Sequence, residues 1–348
     1  MPDHTPKANN MIIQLSIKKP GSAFTLLRIR KPNRVKKVNL LNKMLYGQED
    51  FYRSIPVTGY HFFKDSIATD EYIGDEDKPE HRAYNLFEIV TGRKPRKQFV
   101  ITPAIRASLQ WQVSHRQIIN KIYWFGTDIY GRDLLSRLML GTRISLSVGL
   151  MSVIISLLIG VTVGAIAGYF GGWIDAALGW LMNILWALPA LLLVIAISFA
   201  LGKGLWQIFI AVGLSMWVEV ARLVRGQVLS LKQVEYVEAA RALGFSNSRI
   251  ITRHVLPNIT GPILVLAVSN FAAAILLEAG LSFLGFGAQP PMPTWGAMIK
   301  EHYGYIIMDS AYLAIFPGLA IMLLVYAFNL VTTGLTDAFD IKSQSSRF

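Results

Sequence analysis

Few residues in this chain are placed to make or break bonds. The six histidines (His4, His61, His81, His115, His254 and His302) fall at no metal-binding spacing, and there is no cysteine to supply a thiolate ligand or a disulfide. No G-x-x-x-x-G-K-[ST] phosphate loop and no G-x-S-x-G nucleophile elbow occurs. Three polar groups stand out against an otherwise apolar sequence. One is QVEYVEAARALGFSNSRIITRHVLP, residues 233–257. Another is FGTDIYGRDLLSRLMLGTR, residues 125–143, where the turn residues Gly126, Thr127 and Gly131 surround Asp128, Arg132 and Asp133. The last is Glu278, an ionisable group inside a long apolar run, which is costly unless it faces protein or water. Capping, charge pairing and docking are the chemistry open to such groups.

The elements that must carry them follow from composition. The chain has 348 residues, 53% apolar and 16% charged; soluble domains carry about 25% charged residues. Its net charge of +12 is uneven: residues 1–143 hold 24 Lys/Arg against 13 Asp/Glu, the rest 10 against 9. Basic residues in the first part are interleaved with acidic ones and form no nucleic-acid motif, so no nucleic-acid partner is expected. Residues 1–121 contain no apolar run near the roughly 18 residues a span needs, and no signal peptide opens them. Weak alternation over Ile12–Ile17, the turn Lys19-Pro20-Gly21 and the strand-like Phe24–Ile29 predict a small mixed, strand-containing domain. Asp70–Glu80 reads as an acidic loop, and Arg93–Lys97 as a basic surface loop.

Five apolar segments follow, at about 144–170, 176–201, 205–224, 259–284 and 311–335. Gly160, Gly164 and Gly168 recur every fourth residue, which lets helix backbones approach closely in lipid. Pro189 falls inside the second segment and predicts a kink there. Between the third and fourth spans, Ala and Leu favour helix over 236–243, Gly244 suits a left-handed cap, and Ser246 or Asn247 can cap a second helix to about Val255, with Pro257 marking the break.

The 233–257 segment resembles the EAA loop of ABC-transporter permeases: E-A-A, three residues, G, nine residues, I-x-L-P. Glu238, Ala239, Ala240, Gly244, Leu256 and Pro257 fall at matching positions, and His254 replaces the Ile. Residues 126–143 resemble the G-T-D-x-x-G-R-D-x-x-S-R-x-x-x-G-x-R signature of dipeptide and oligopeptide permeases, through Gly126, Thr127, Asp128, Gly131, Arg132, Asp133, Ser136, Arg137, Gly141 and Arg143. Residues 278–296 resemble a third run of that family, including Glu278, Pro290, Pro291 and Trp295. Trp295 would suit the interfacial aromatic belt.

This resemblance implies an all-α polytopic bundle, a type I ABC importer permease core of five transmembrane helices, preceded by the small mixed α/β extracytoplasmic domain. The domains expected are an extracytoplasmic insertion (1–121), an elbow and amphipathic helix (122–142), the permease domain (143–341) with coupling loop 226–257, and a cytoplasmic tail (342–348). It implies a multi-pass protein of the cytoplasmic (inner) membrane. The coupling loop would meet two ATPase subunits, which use ATP while this chain binds no cofactor. A second, homologous permease, an extracytoplasmic solute-binding protein and a peptide substrate complete the expected partners. Pro189, Glu278, Pro290, Pro291 and Trp295 are candidate pathway or outer-gate residues.

Placing the coupling loop inside puts the tail inside and residues 1–142 outside. The loop's Arg225, Lys232, Arg241, Arg249 and Arg253 against Glu235 and Glu238 obey the positive-inside trend, and long domains translocate largely regardless of charge. Family members usually carry one more span before the G-T-D signature, so a first span upstream of Met1 is expected; a stop codon directly before Met1 would refute it. Nickel and glutathione-like solutes are alternative cargoes. An ion-coupled secondary transporter would need inverted repeats and midplane charges, and apart from Glu278 the sequence shows neither; a membrane enzyme would need a catalytic constellation, which the spans lack.

Overall fold

A computed structural model describes residues 11–32, 50–75, 77–95, 101–202, 204–289 and 292–345. Two compact units arise: Met1–Leu140 with His302–Leu313, and Gly141–Glu301 with Ala314–Phe348.

In the first unit, strands β1 (Ser22–Arg30), β2 (Tyr52–Phe63), β3 (Ser66–Glu71), β4 (Glu80–Asn85) and β5 (Ile118–Tyr123) form an antiparallel sheet ordered β4-β3-β2-β1-β5. Successive side chains of a strand point to opposite faces, and β1 buries both. Leu27 joins Ile55, Ile67 and residues of helices α1 (Leu86–Thr91) and α2 (Pro103–Gln112) in one core, while Leu26 joins Ile12, Leu15 and Tyr123 in another. Asn85 caps α1 by accepting from the Phe87 N–H at 2.9 Å, and Gly92 ends it at φ +73°. At the sheet's end, burial with the Glu71 carboxylate beside it pushes the Tyr84 phenol up to about 12, so Tyr84 stays protonated and donates to Glu71.

One expected strand is absent. Ile12–Ile17 is a 3₁₀ turn at Ile13–Leu15, with Ile17 at φ +53°. Ile12 and Leu15 are buried while Ile13 is exposed, a spacing of three that fits a 3₁₀ turn and not a strand. Asp70 and Glu71, read as the start of a loop, close β3, and Glu80 opens β4.

The second unit is helical, built on α3 (Leu134–Phe170), α4 (Gly172–Trp186), α5 (Ala190–Leu201), α6 (Leu205–Leu231) and α7 (Glu235–Ala242). Helix α8 (Asn247–Ile250) leads through a π turn (Ile251–Val255) and a 3₁₀ turn (Leu256–Ile259) into α9 (Thr260–Leu284); α10 (Trp295–His302) and α11 (Tyr312–Ser345) follow. Among the described residues four helical stretches are long and apolar enough to cross a membrane: Leu134–Phe170, Leu205–Leu231, Asn247–Leu284 and Tyr312–Phe339. The pair α4–α5 makes a fifth if it counts as one broken span.

That pair corrects the expected single kinked helix. The two halves meet at 95°. Pro189 has an extended ψ of 126°, has no N–H to continue the helix, and serves as the N-cap of α5, accepting the Leu193 N–H at 3.0 Å. The amphipathic helix expected after the 125–133 turns is likewise not separate, since α3 runs unbroken from Leu134.

The glycine stripe explains how α3 meets α6. A Cβ at Gly160 would lie 2.5 Å from the Val220 Cβ, one at Gly164 2.4 Å from the Ala221 carbonyl oxygen, and one at Gly168 2.8 Å from the Arg225 carbonyl oxygen. The bare α3 backbone thus receives the carbonyls of Trp217, Ala221 and Arg225 and the side chains of Val220, Val224 and Val228 directly, which is how small residues let helices pack closely in lipid.

Candidate functional site

The 233–257 segment is a helix, a turn and a second, irregular helix. Its first helix ends in a Schellman motif: Gly244 stands at φ +78°, its N–H donates to the Arg241 carbonyl (3.0 Å), and the Phe245 N–H donates to Ala240 (3.2 Å). The Ser246 hydroxyl caps the second helix, accepting from the Arg249 N–H at 3.4 Å. Beyond Ile250 the expected α-helix widens into the π turn and tightens at Leu256-Pro257, because Pro257 cannot donate to the ladder.

One face of this hairpin is anchored. Val237 and Ala240 are buried in a cluster with Tyr169, Val228, Ile250 and Val255. Tyr169 donates to the Asn247 side chain at 3.0 Å, and Lys232 donates to the Gly168 carbonyl at 3.1 Å. His254 is half-buried and stacks on Phe245, with centroids 6.0 Å apart. The opposite face is open: Glu238, Ala239, Gly244 and Pro257 are exposed, and Leu243 is 73% exposed. Leu243 escaped the motif-based reading, which names only matched positions; a large apolar side chain beside a helix stop was its signal.

The 126–133 elbow works within the first unit as a clasp. Thr127 accepts from the Lys18 N–H at 2.8 Å and donates to the Leu15 carbonyl, while its own N–H donates to the Lys18 carbonyl at 3.0 Å. A Cβ on Gly131 would sit 1.8 Å from the Ile12 carbonyl oxygen, and one on Gly126 2.3 Å from that of Lys18, so both positions exclude side chains. Asp128 is fully buried. Its Oδ1 accepts from the N–H groups of Tyr130 and Arg132, both at 2.9 Å; its Oδ2 accepts from Arg132 Nε and lies 3.4 Å from Arg137 Nε. Asp133 accepts from Ser136 at 2.8 Å and pairs with Lys121 at 3.3 Å. Arg137 is buried and Arg143 exposed.

In the second unit Glu278 has no exposure. Its carboxylate accepts from Ser282 at 2.6 Å and Ser145 at 3.2 Å, and Thr294 donates to Ser282 at 3.1 Å. Helices α3 and α9 and the segment before α10 are thus joined through one carboxylate. Trp295 is buried at 3% exposure, close enough to Gly141 that a Cβ there would meet its ring at 2.7 Å, so it is a packing residue and not the interfacial belt residue expected. Pro290 and Pro291 lie outside the described residues.

Around the Pro189 break lies a cavity of about 590 Å³. Leu188 and Ala190, the neighbours of Pro189, line it with Trp186, Leu191 and Leu277. Among the described residues Glu219 of α6 is the one ionisable residue on its wall. The sequence reading passed over Glu219, which sits mid-run in the third apolar segment.

Span-length helices, with one charged hairpin anchored on one side and bare on the other, are the frame of a membrane protein. Residues 160–343 match the family model described as binding-protein-dependent transport system inner membrane component, and the chain belongs to that family. It is a transport permease and not an enzyme; such permeases act with ATPase subunits and a binding protein in ABC importers. Over 223 residues, 64% of this chain, it is 44% identical to the glutathione transport system permease protein GsiD of Pectobacterium atrosepticum, covering 74% of that protein. It is 45% identical, over 64% of this chain and 73% of the relative, to the dipeptide transport system permease protein DppC of Alkalihalophilus pseudofirmus. Among solved structures, an inward-facing form of the MetNI methionine ABC transporter aligns with a TM-score of 0.49 and 19% identity, over 59% of this chain and 96% of that one.

Proposed function

We propose that this chain forms, with a second homologous permease, the transmembrane pathway of an importer for short peptides. Two ATPase subunits dock on the open face of residues 235–257, where Glu238, Ala239, Leu243 and Gly244 are presented and Val237 and Ala240 tie the hairpin to the spans. ATP-driven closure of the ATPases moves the hairpin, and the permeases alternate between outward and inward access. A solute-binding protein delivers substrate at the outer face. Residues 1–142 lie on that side, and Glu278, with Pro290, Pro291 and Trp295, sets the outer gate. The path passes the break at Pro189.

The observation that carries this reading is the two-faced hairpin: a buried apolar edge and a bare charged edge, closed by a left-handed glycine. The names of the relatives, one dipeptide and one glutathione permease, support a peptide or peptide-like cargo. Reconstituting the complex in vesicles tests it. ATP hydrolysis should be stimulated by binding protein loaded with dipeptide, and uptake should persist with all ion gradients collapsed. Uptake that follows an ion gradient and ignores ATP would sink the proposal.

A further inference from the structure

Helix α6 carries three charged residues in its length: Glu219, Arg222 and Arg225. Two are satisfied. Arg225 pairs with Asp175, its Nη2 2.7 Å from the carboxylate. Arg222 donates to the Asn183 side chain at 2.7 Å and lies over the Trp186 ring, 4.6 Å from its centroid. Both contacts draw Arg222 toward α4 and away from Glu219, one turn earlier. Glu219 has no hydrogen bond or ion pair among the described residues, and it is exposed. A carboxylate so placed in a span, with no partner among the described residues, marks a pathway or a ligand by default.

Its surroundings narrow the ligand. The cavity beside it, about 590 Å³, lies within the range of roughly 300–1,000 Å³ typical of small-molecule sites. Its walls are aliphatic, with one aromatic face from Trp186; Ser215, one turn before Glu219, is the other polar side chain there. A site with greasy walls and one carboxylate complements a solute that has apolar side chains and one positive charge. We propose that Glu219 is a cation subsite of this cavity, holding the protonated amine of the solute as it passes the Pro189 break. The assignment rests on the importer reading above. It gives the spans a means of favouring free amino termini, separate from any preference of the binding protein.

The absence of native cysteine makes the site addressable. In the assembled, reconstituted complex, Ser215→Cys is treated with two methanethiosulfonates of similar size, one ending in trimethylammonium and one in sulfonate, and label on this chain is read by intact mass. With Glu219 present the cationic reagent should react at least tenfold faster than the anionic one, and Glu219→Gln should bring the ratio within twofold of unity. Methylammonium chloride at constant ionic strength should slow the cationic reagent at the introduced thiol when Glu219 is intact, a readout that needs no second substitution. An unchanged ratio in Glu219→Gln, or no slowing by methylammonium, overturns the site. Failure of either reagent to reach that thiol, with and without ATP, overturns it too, because a neighbouring subunit then covers that wall. Dialanine uptake by the unaltered complex is measured in parallel. Its absence would reject the peptide reading while the labelling ratio still decides the subsite.

Discussion

Gly244 shows how a single residue can be required for a conformation and not for space. Nothing lies within 4 Å of where its Cβ would be, yet its φ is +78°. Gly244→Val should therefore strain the backbone by about 1–2 kcal/mol, the cost of left-handed geometry to a branched side chain, and loosen the Schellman cap. Gly244→Asn, whose side chain tolerates that region, should be much milder. Co-purification of the ATPase subunits and stimulated ATP hydrolysis measure both; equal loss in the two variants would point to a steric contact with the ATPase instead. This conformation was legible from residue type and position alone. The elbow was legible only in part. Gly, Thr, Asp and Arg announce a turn with charge pairing, and Asp128 does pair with Arg132. That Thr127 clasps residues 15–18 could not be read, because its partners lie more than a hundred positions away.

Among elements, the contact of α3 with α6 is the most constrained. Gly164→Leu would drive a side chain into the Ala221 carbonyl, 2.4 Å from the Cβ position alone. Overpacking of this kind costs about 1–3 kcal/mol or more. The variant should lower thermal stability of the purified complex and weaken uptake, whereas Gly179→Leu, where a Cβ meets nothing within 4 Å, should do neither. Helix existence and the glycine face were readable because period and residue size carry them. The break at Pro189 was read as a kink, since sequence shows that a proline interrupts the ladder but not whether neighbouring helices straighten the two halves or let them fold to 95°. The turn at 13–15 was missed for a related reason: a short run of Ile and Leu suits a strand or a turn equally, and only its packing on Leu26 and Tyr123 decides.

At the scale of the molecule the prediction concerns sidedness. The proposed orientation puts the β-sheet unit outside and the hairpin inside. A cysteine at His81, highly exposed on β4, should react with a membrane-impermeant maleimide in intact spheroplasts, and one at Leu243 should react only after lysis. The reverse pattern would invert the topology and remove the ATPase from reach of Glu238 and Ala239. The family was legible because three separate motifs, one of them largely in the first unit, agree on it. The sheet order of the first unit was not, because strand neighbours such as β1 and β5 are set by contacts between residues almost a hundred positions apart.

The bare contact between α3 and α6 has a mechanical corollary. Where the bare glycine backbone of one rod meets carbonyls and stiff, β-branched valines of the other, there is little soft material to absorb a displacement. The hairpin is rooted at that same end, through Tyr169 on one rod and Val228 on the other. On the proposed docking, a nudge delivered to the hairpin would be shared by both rods at once, and they would swing as a single stiff lever.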